Sequence, residues 1–137
     1  MAESNLSVED LVLPVFVTEG DGVTEHVPSK PGVQRYSLDR LTKEITAAAE
    51  LGIQMVAVFP CIDESRKTLD GAESANPDNL VCRAVRALKS AVPEIGIMCD
   101  VALDPFTSHG HDGLLHQGVV LNDKTVESLC RQALVQA

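Results

Sequence analysis

The sequence predicts an α/β domain of short parallel strands alternating with helices, and three observations carry that prediction. Apolar residues switch three times between short β-branched runs and longer segments of helical period. Glycine, proline and Asx residues punctuate the switches where turns and caps need them. Aromatic residues make up only 3%, with one Tyr, three Phe and no Trp, so the core is built largely from Val, Leu, Ile and Ala, which suits buried parallel strands.

Taken in order, Leu11 to Thr18 reads as the first strand, ending in the turn Glu19-Gly20-Asp21-Gly22. The glycine spacing there matches neither a dinucleotide fingerprint nor a P-loop. A loop containing Pro28 and Pro31-Gly32 leads to Ser37, the expected N-cap of a helix carrying Leu41, Ile45 and Ala48, with Gly52 as its stop. Met55 to Phe59 is the second strand, broken by Pro60, and Cys61 to Ala75 is a long polar loop. Asn76-Pro77-Asp78 is expected to cap the second helix with proline at its first position, and Leu80, Ala84 and Leu88 form its apolar stripe. Ile95 to Val101 is the third strand and Ala102 to Leu121 a loop rich in Gly, His and Asp. Asn122 is then expected to cap a last helix with Val126, Leu129 and Ala133 on one face. Three strand-helix units in this order suit right-handed crossovers. Residues 1–137 read as one partial domain, since three parallel strands alone would leave two bare edges.

The formal charge of -9, from 20 acidic and 11 basic residues, is the wrong sign for a nucleic-acid or anionic-membrane surface, so neither partner is expected. The apolar runs are too short to span a bilayer, which takes about 20 residues. Cys61, Cys82, Cys99 and Cys130 are widely spaced, form no C-x-x-C pair and follow no secretory leader, so free thiols in a reducing cytoplasm are expected.

In parallel α/β folds functional groups gather where strands end. The loop at Cys61-Ile62-Asp63-Glu64-Ser65-Arg66-Lys67 mixes charges as a solvated loop does. The loop after the third strand is denser in chemistry: Asp100, Asp104, Asp112, His109 and His111 fall within thirteen positions. Such oxygen and imidazole donors suit a divalent cation, a tuned acid or base, or a substrate ammonium. Each also has a plainer use. Asp100 can cap a turn, Asp112-Gly113 is a common turn dipeptide, and His109-Gly110-His111 lacks the i, i+4 spacing of a helical zinc site and can bond loop backbone.

The run from Asp100 to Gly113, DVALDPFTSHGHDG, closely resembles the signature of the porphobilinogen synthases, also called delta-aminolevulinic acid dehydratases. Leu13 to Val17, Pro31-Gly32-Val33, Val58-Phe59-Pro60, Asn76-Pro77-Asp78, Arg83 to Lys89 and Val120 to Asp123 resemble that family in the same order. The resemblance implies the first three units of a TIM (β/α)8 barrel, here an incomplete one, and a homo-oligomer in the full-length family. It implies a hydro-lyase of heme and tetrapyrrole biosynthesis that condenses two molecules of 5-aminolevulinate to porphobilinogen. Asp100 matches an active-site aspartate beside the substrate, and Asp104 and Asp112 join it as substrate-binding candidates. Ala102, Asp104 and Asp112 fall where zinc-dependent members place three cysteines, so the zinc cysteine site is absent and the resemblance is to the magnesium-responsive branch, with Asp104 and Asp112 as the metal candidates.

Two departures accompany the resemblance. The family's basic N-terminal arm has no counterpart in Met1 to Glu9, and its two Schiff-base lysines are expected beyond Ala137. A Schiff-base lysine needs a desolvated, neutral amine. Lys30 and Lys67 fall in polar loops, and Lys43, Lys89 and Lys124 on helices or at a helix start, so none is a nucleophile candidate and the 137 residues alone are expected to be inactive. Two other readings stand beside this one: a non-catalytic module that docks onto complete subunits, and an unrelated metal-binding α/β domain.

Overall fold

The computed structural model describes residues 4–137; the first three positions of the Met1 to Glu9 segment lie outside the described residues. Five strands form one sheet: β1 (Val12–Val17), β2 (Thr24–His26), β3 (Gln34–Tyr36), β4 (Met55–Pro60) and β5 (Gly96–Cys99). Their order is β2-β3-β1-β4-β5, with β3, β1, β4 and β5 parallel and β2 antiparallel to β3. Helices α1 (Leu38–Glu50) and α2 (Leu80–Ala91) are the crossovers from β1 to β4 and from β4 to β5. A two-stranded hairpin, β6 (Leu115–His116) and β7 (Val119–Val120), precedes α3 (Asn122–Gln136).

Strand alternation separates two faces. Val15 and Val17 of β1 and Val56 and Val58 of β4 turn toward the helices, where Leu41, Ile45, Leu80, Ala84 and Leu88 complete a buried core. Each such aliphatic side chain contributes about 1.5–3 kcal/mol by leaving water. The opposite face carries Val12, Pro14 and Phe16, then Met55, Ala57 and Phe59, then Met98, in lateral register. Among the described residues no helix covers it, and Val12, Met55 and Met98 remain 43%, 39% and 51% exposed.

The three long strands and three helices fall where the hydrophobic period puts them, although β5 stops at Cys99 rather than Val101. Four local expectations are corrected. The segment expected to be a loop before Ser37 forms the β2-β3 hairpin, whose polar strands pair Thr24 with Tyr36 and His26 with Gln34 and extend the sheet beyond β1. Helix α2 starts at Leu80, three residues later than expected. Asn76 instead closes an Asx turn onto the Asp78 amide (2.9 Å), and the cap is Asn79, fully buried, whose carbonyl accepts from Cys82 N–H (2.9 Å) while its amide donates to the Ser74 carbonyl (3.2 Å). Asn122 does not cap α3. Thr125, one turn in, donates to the Leu121 carbonyl (2.8 Å) and accepts from Leu114 N–H (2.9 Å). The face that α3 buries carries Thr125 and Gln132, while Val126 and Ala133 of the expected apolar stripe are exposed. Gly52 does end α1: at φ +98° it lets Ile53 N–H reach the Ala48 carbonyl (3.1 Å) and its own N–H reach Ala49 (2.9 Å).

Candidate functional site at the strand ends

The C-terminal ends of β1, β4 and β5 lie side by side, so the loops that follow them share one rim. At the first, Glu19 forms an ion pair with Arg83 on α2 and ties the β1 exit to the helix layer. The second, after β4, is pinned locally: Asp63 accepts from Ser65 N–H (2.9 Å), Lys67 pairs with Glu64, and Arg66 with Glu73 (3.1 Å). These contacts make the Cys61 to Lys67 stretch a self-paired surface loop.

The third loop is zipped onto the second. Thr68 N–H donates to the Phe106 carbonyl (3.1 Å), Ser108 N–H donates to the Thr68 carbonyl (2.9 Å), and Thr68 and Thr107 form a parallel bridge. Leu103 and Phe106, at 0% and 1% exposure, anchor the third loop from below. Gly71 makes room for the junction, since a β-carbon there would lie 3.3 Å from the Thr107 methyl.

Within this frame the three aspartates part ways. Asp112 Oδ1 accepts from Leu103 N–H at 2.7 Å and closes the loop from 103 to 112. Asp104 is exposed, yet partial burial first, then repulsion from Asp112 and Asp100, hold its carboxyl above the usual range, against a lowering backbone hydrogen bond. Asp104 is therefore within electrostatic reach of both other carboxylates. Asp100 is exposed, and its side chain has no hydrogen-bond or ion-pair partner among the described residues. It follows directly on Cys99, whose ladder partner is Val58. Carried one position past the end of β5, the ladder register sets Asp100 level with Phe59 and Phe16, whose rings lie 5.7 Å apart.

The His109 ring serves the backbone, and His111 takes part through its own peptide groups. His109 Nδ1 accepts from His111 N–H (3.2 Å), which leaves Nε2 as the donor to the Leu69 carbonyl (3.2 Å). Thr107 Oγ1 donates to the His111 carbonyl (2.9 Å). The histidine-aspartate run is thus a cross-linked loop, and among the described residues no group of three His, Cys, Asp or Glu converges as a metal site. Its donors are carboxylates, suited to a hard cation and not to a soft thiolate-bound zinc. The four cysteines are free.

Lys30 lies in a loop as expected, and the turn between β2 and β3 folds its ammonium over the Phe16 ring, 4.9 Å from the centroid. Lys67 is half-buried against Glu64, Lys89 donates to the Pro93 and Ile95 carbonyls (3.1 and 2.7 Å), and Lys43 and Lys124 are exposed on α1 and α3. None is enclosed in an apolar pocket. A cavity of about 590 Å³ lies at the other end of the strands, among Leu11, Gly52, Met55, Glu94 and Gly96, away from every carboxylate of the rim. Sequence reasoning missed Phe16, Phe59 and Lys30 as neighbours of the site. The ladder register, carried one position past the Val58-Cys99 pair, is the signal that finds the two rings.

A family model described as delta-aminolevulinic acid dehydratase matches residues 1–137. Curated relatives of that description include those of Bradyrhizobium diazoefficiens, 53% identical over 98% of this chain, and Chlamydia pneumoniae, 44% identical over 92%; the chain spans 38% of the length of each. A crystal structure of delta-aminolevulinic acid dehydratase (porphobilinogen synthase) from Toxoplasma gondii, in complex with the reaction product porphobilinogen, superposes with a TM-score of 0.95 at 40% identity. That alignment covers 98% of this chain and 38% of the other.

Proposed function

Because the chain belongs to the delta-aminolevulinic acid dehydratase family, we propose that it supplies one wall of an active site in which two molecules of 5-aminolevulinate condense to porphobilinogen with loss of water. The observation that carries this reading is Asp100, an unengaged carboxylate just past the end of β5 on the strand-end rim, level in the ladder register with the Phe16-Phe59 pair. A carboxylate so placed suits the substrate ammonium, and aromatic rings suit its carbon chain. Asp104 and Asp112 shape the polar side of the same rim, with Asp112 committed to the backbone and Asp104 left exposed. The units β1-α1, β4-α2 and β5-α3 then count as the first three of an eight-stranded barrel whose interior the open face lines, in a homo-oligomer.

A divalent cation has little to hold it here. Asp104 and Asp112 would offer two carboxylates to a magnesium ion that keeps most of its waters, and such an ion would supply positive charge beside them. The four free thiols suit a reducing compartment, which supports the cytoplasm as the site of the reaction, while plant relatives are described as chloroplastic.

Condensation needs amines that are neutral and desolvated, and no lysine described here is so enclosed. The 137 residues alone are therefore expected to give no porphobilinogen from 5-aminolevulinate, with or without magnesium, and no borohydride-trapped adduct. The full-length protein is expected to make porphobilinogen, and Asp100→Asn to lower kcat/KM by about tenfold or more, the value of a charge-assisted hydrogen bond. Full activity in that variant would refute the role of Asp100. Absence of product from the full-length protein would refute the activity itself. The exposed Val12, Met55 and Met98 also favour docking onto complete subunits, for which co-elution of the chain with a complete homologue is the test.

A further inference from the structure

The segment that carries Asp100 leaves the sheet at Cys99 and has no strand beside it among the described residues, yet its backbone is held from α3. Gln136 Nε2 donates to the Asp100 carbonyl at 3.2 Å, and Gln132 Nε2 donates to the Ala102 carbonyl at 3.0 Å. The two glutamines are four residues apart and share one face of the helix. Their orientation is unambiguous, because turning either amide over would set its oxygen against a carbonyl oxygen.

The arrangement is poor for stability. Gln132 is fully buried, and the Oε1 atoms of both glutamines are buried with no hydrogen-bond partner among the described residues. A buried acceptor without a donor costs free energy that a methionine of similar shape would not. Folding accounts for the two N–H donors, which satisfy the Asp100 and Ala102 carbonyls, but not for the two stranded Oε1 acceptors beside them. What the amides do achieve is geometric: with Asp112 holding Leu103 N–H, they fix three successive points of the chain from Asp100 to Leu103.

We propose that Gln132 and Gln136 are positioning residues, a two-point clamp from α3 that sets the direction in which the Asp100 carboxylate projects from the strand-end rim. The proposal rests on the reading that Asp100 meets substrate. Neither glutamine touches the reacting atoms, so each acts only through the backbone it holds.

The test is a double-mutant cycle in the full-length protein, with kcat and KM for 5-aminolevulinate measured for Gln132→Met, Gln136→Met and Asp100→Asn, singly and combined. Each glutamine variant is expected to raise KM by about fivefold, the worth of one neutral hydrogen bond, with kcat changed less and the melting temperature close to the parent's, because stranding the carbonyl and removing the unpaired Oε1 oppose each other. In the Asp100→Asn background the same substitutions are expected to have no further effect, since there is no carboxylate left to direct. Additive losses, or losses that track a lowered melting temperature, would overturn the clamp while leaving Asp100 in its role. A silent Asp100→Asn would overturn the substrate reading and the clamp with it. Gln136→Met, at a half-buried position, keeps the cycle measurable should Gln132→Met fail to fold.

Discussion

Replacing Asp112 tests whether the most densely charged loop of the chain is held by a backbone staple or organised around a cation. Its Oδ1 accepts from the amide of Leu103, a residue with 0% exposure, at 2.7 Å. Asp112→Ala removes the acceptor and strands that N–H. For a partly buried, charge-assisted bond this costs about 1–2 kcal/mol after allowing for solvent. In a domain of this size, that lowers the melting temperature by about 3–8 °C. Asp112→Asn keeps a carbonyl oxygen at the same position while removing the charge that repels Asp104. The weaker hydrogen bond and the relieved repulsion oppose each other, so the net change is within about 0.5 kcal/mol. Thermal melts of the two variants, each with and without magnesium, separate the cases. The staple predicts a large alanine effect, a small asparagine effect and no magnesium dependence in either. Equal losses for both variants, or stabilisation of the parent by magnesium that both variants abolish, would show that the charge and not the acceptor is what the loop needs.

Phe106→Ala, at the fully buried anchor beneath the zipped loops, is expected to cost about 3–5 kcal/mol, read from a urea midpoint, and to expose the Thr68-Thr107 junction to proteolysis. Gly71→Ala forces a side chain into a φ of +60° and toward Thr107, so a loss of about 1–2 kcal/mol is expected by the same measurement. Asp39 and Asp104 are expected to respond to acid with opposite signs. The Ser37 hydroxyl, then the Gly22 amide, hold Asp39 below the usual carboxylate range, so its stabilisation is present above that range and lost as pH falls through the depressed value; Asp39→Asn flattens that loss. Asp104 is raised, so its ionised form costs stability above the raised value and acid relieves the cost; Asp104→Asn stabilises at neutral pH and has no such effect in acid. Urea midpoints across the acid range check both.

The elements legible in the sequence are those whose burial is periodic. Val15 and Val17, Val56 and Val58, and Leu80, Ala84 and Leu88 are spaced as the sheet and helix faces require, and all are buried. The β2-β3 hairpin was not legible, because Thr24-Glu25-His26 and Gln34-Arg35-Tyr36 have no apolar face. They are strands only through pairing with each other and with Phe16 and Val17. The start of α2 turned on two asparagines three residues apart. Both have the right local chemistry, and what selects Asn79 is the buried Ser74 carbonyl that receives its amide, a partner that no local pattern reveals.

The same limit governs α3 and the site beneath it. An apolar stripe at Val126, Leu129 and Ala133 predicts a helix face sought by a hydrophobic core, but the surface that α3 meets is backbone: Leu114 N–H and the carbonyls of Leu121, Ala102 and Asp100. Thr125, Gln132 and Gln136 match that surface, and Val126 is left half-exposed. A rim made of irregular loops has unpaired peptide groups that must be bonded when buried, so the helix packed against it has to turn a polar face inward. Clustered aspartates could be read from the sequence as chemistry. Which of them staples the chain, which is repelled and which stays free depends on where those peptide groups lie, and this is why Asp112 and Asp100, so alike in sequence, end with opposite roles.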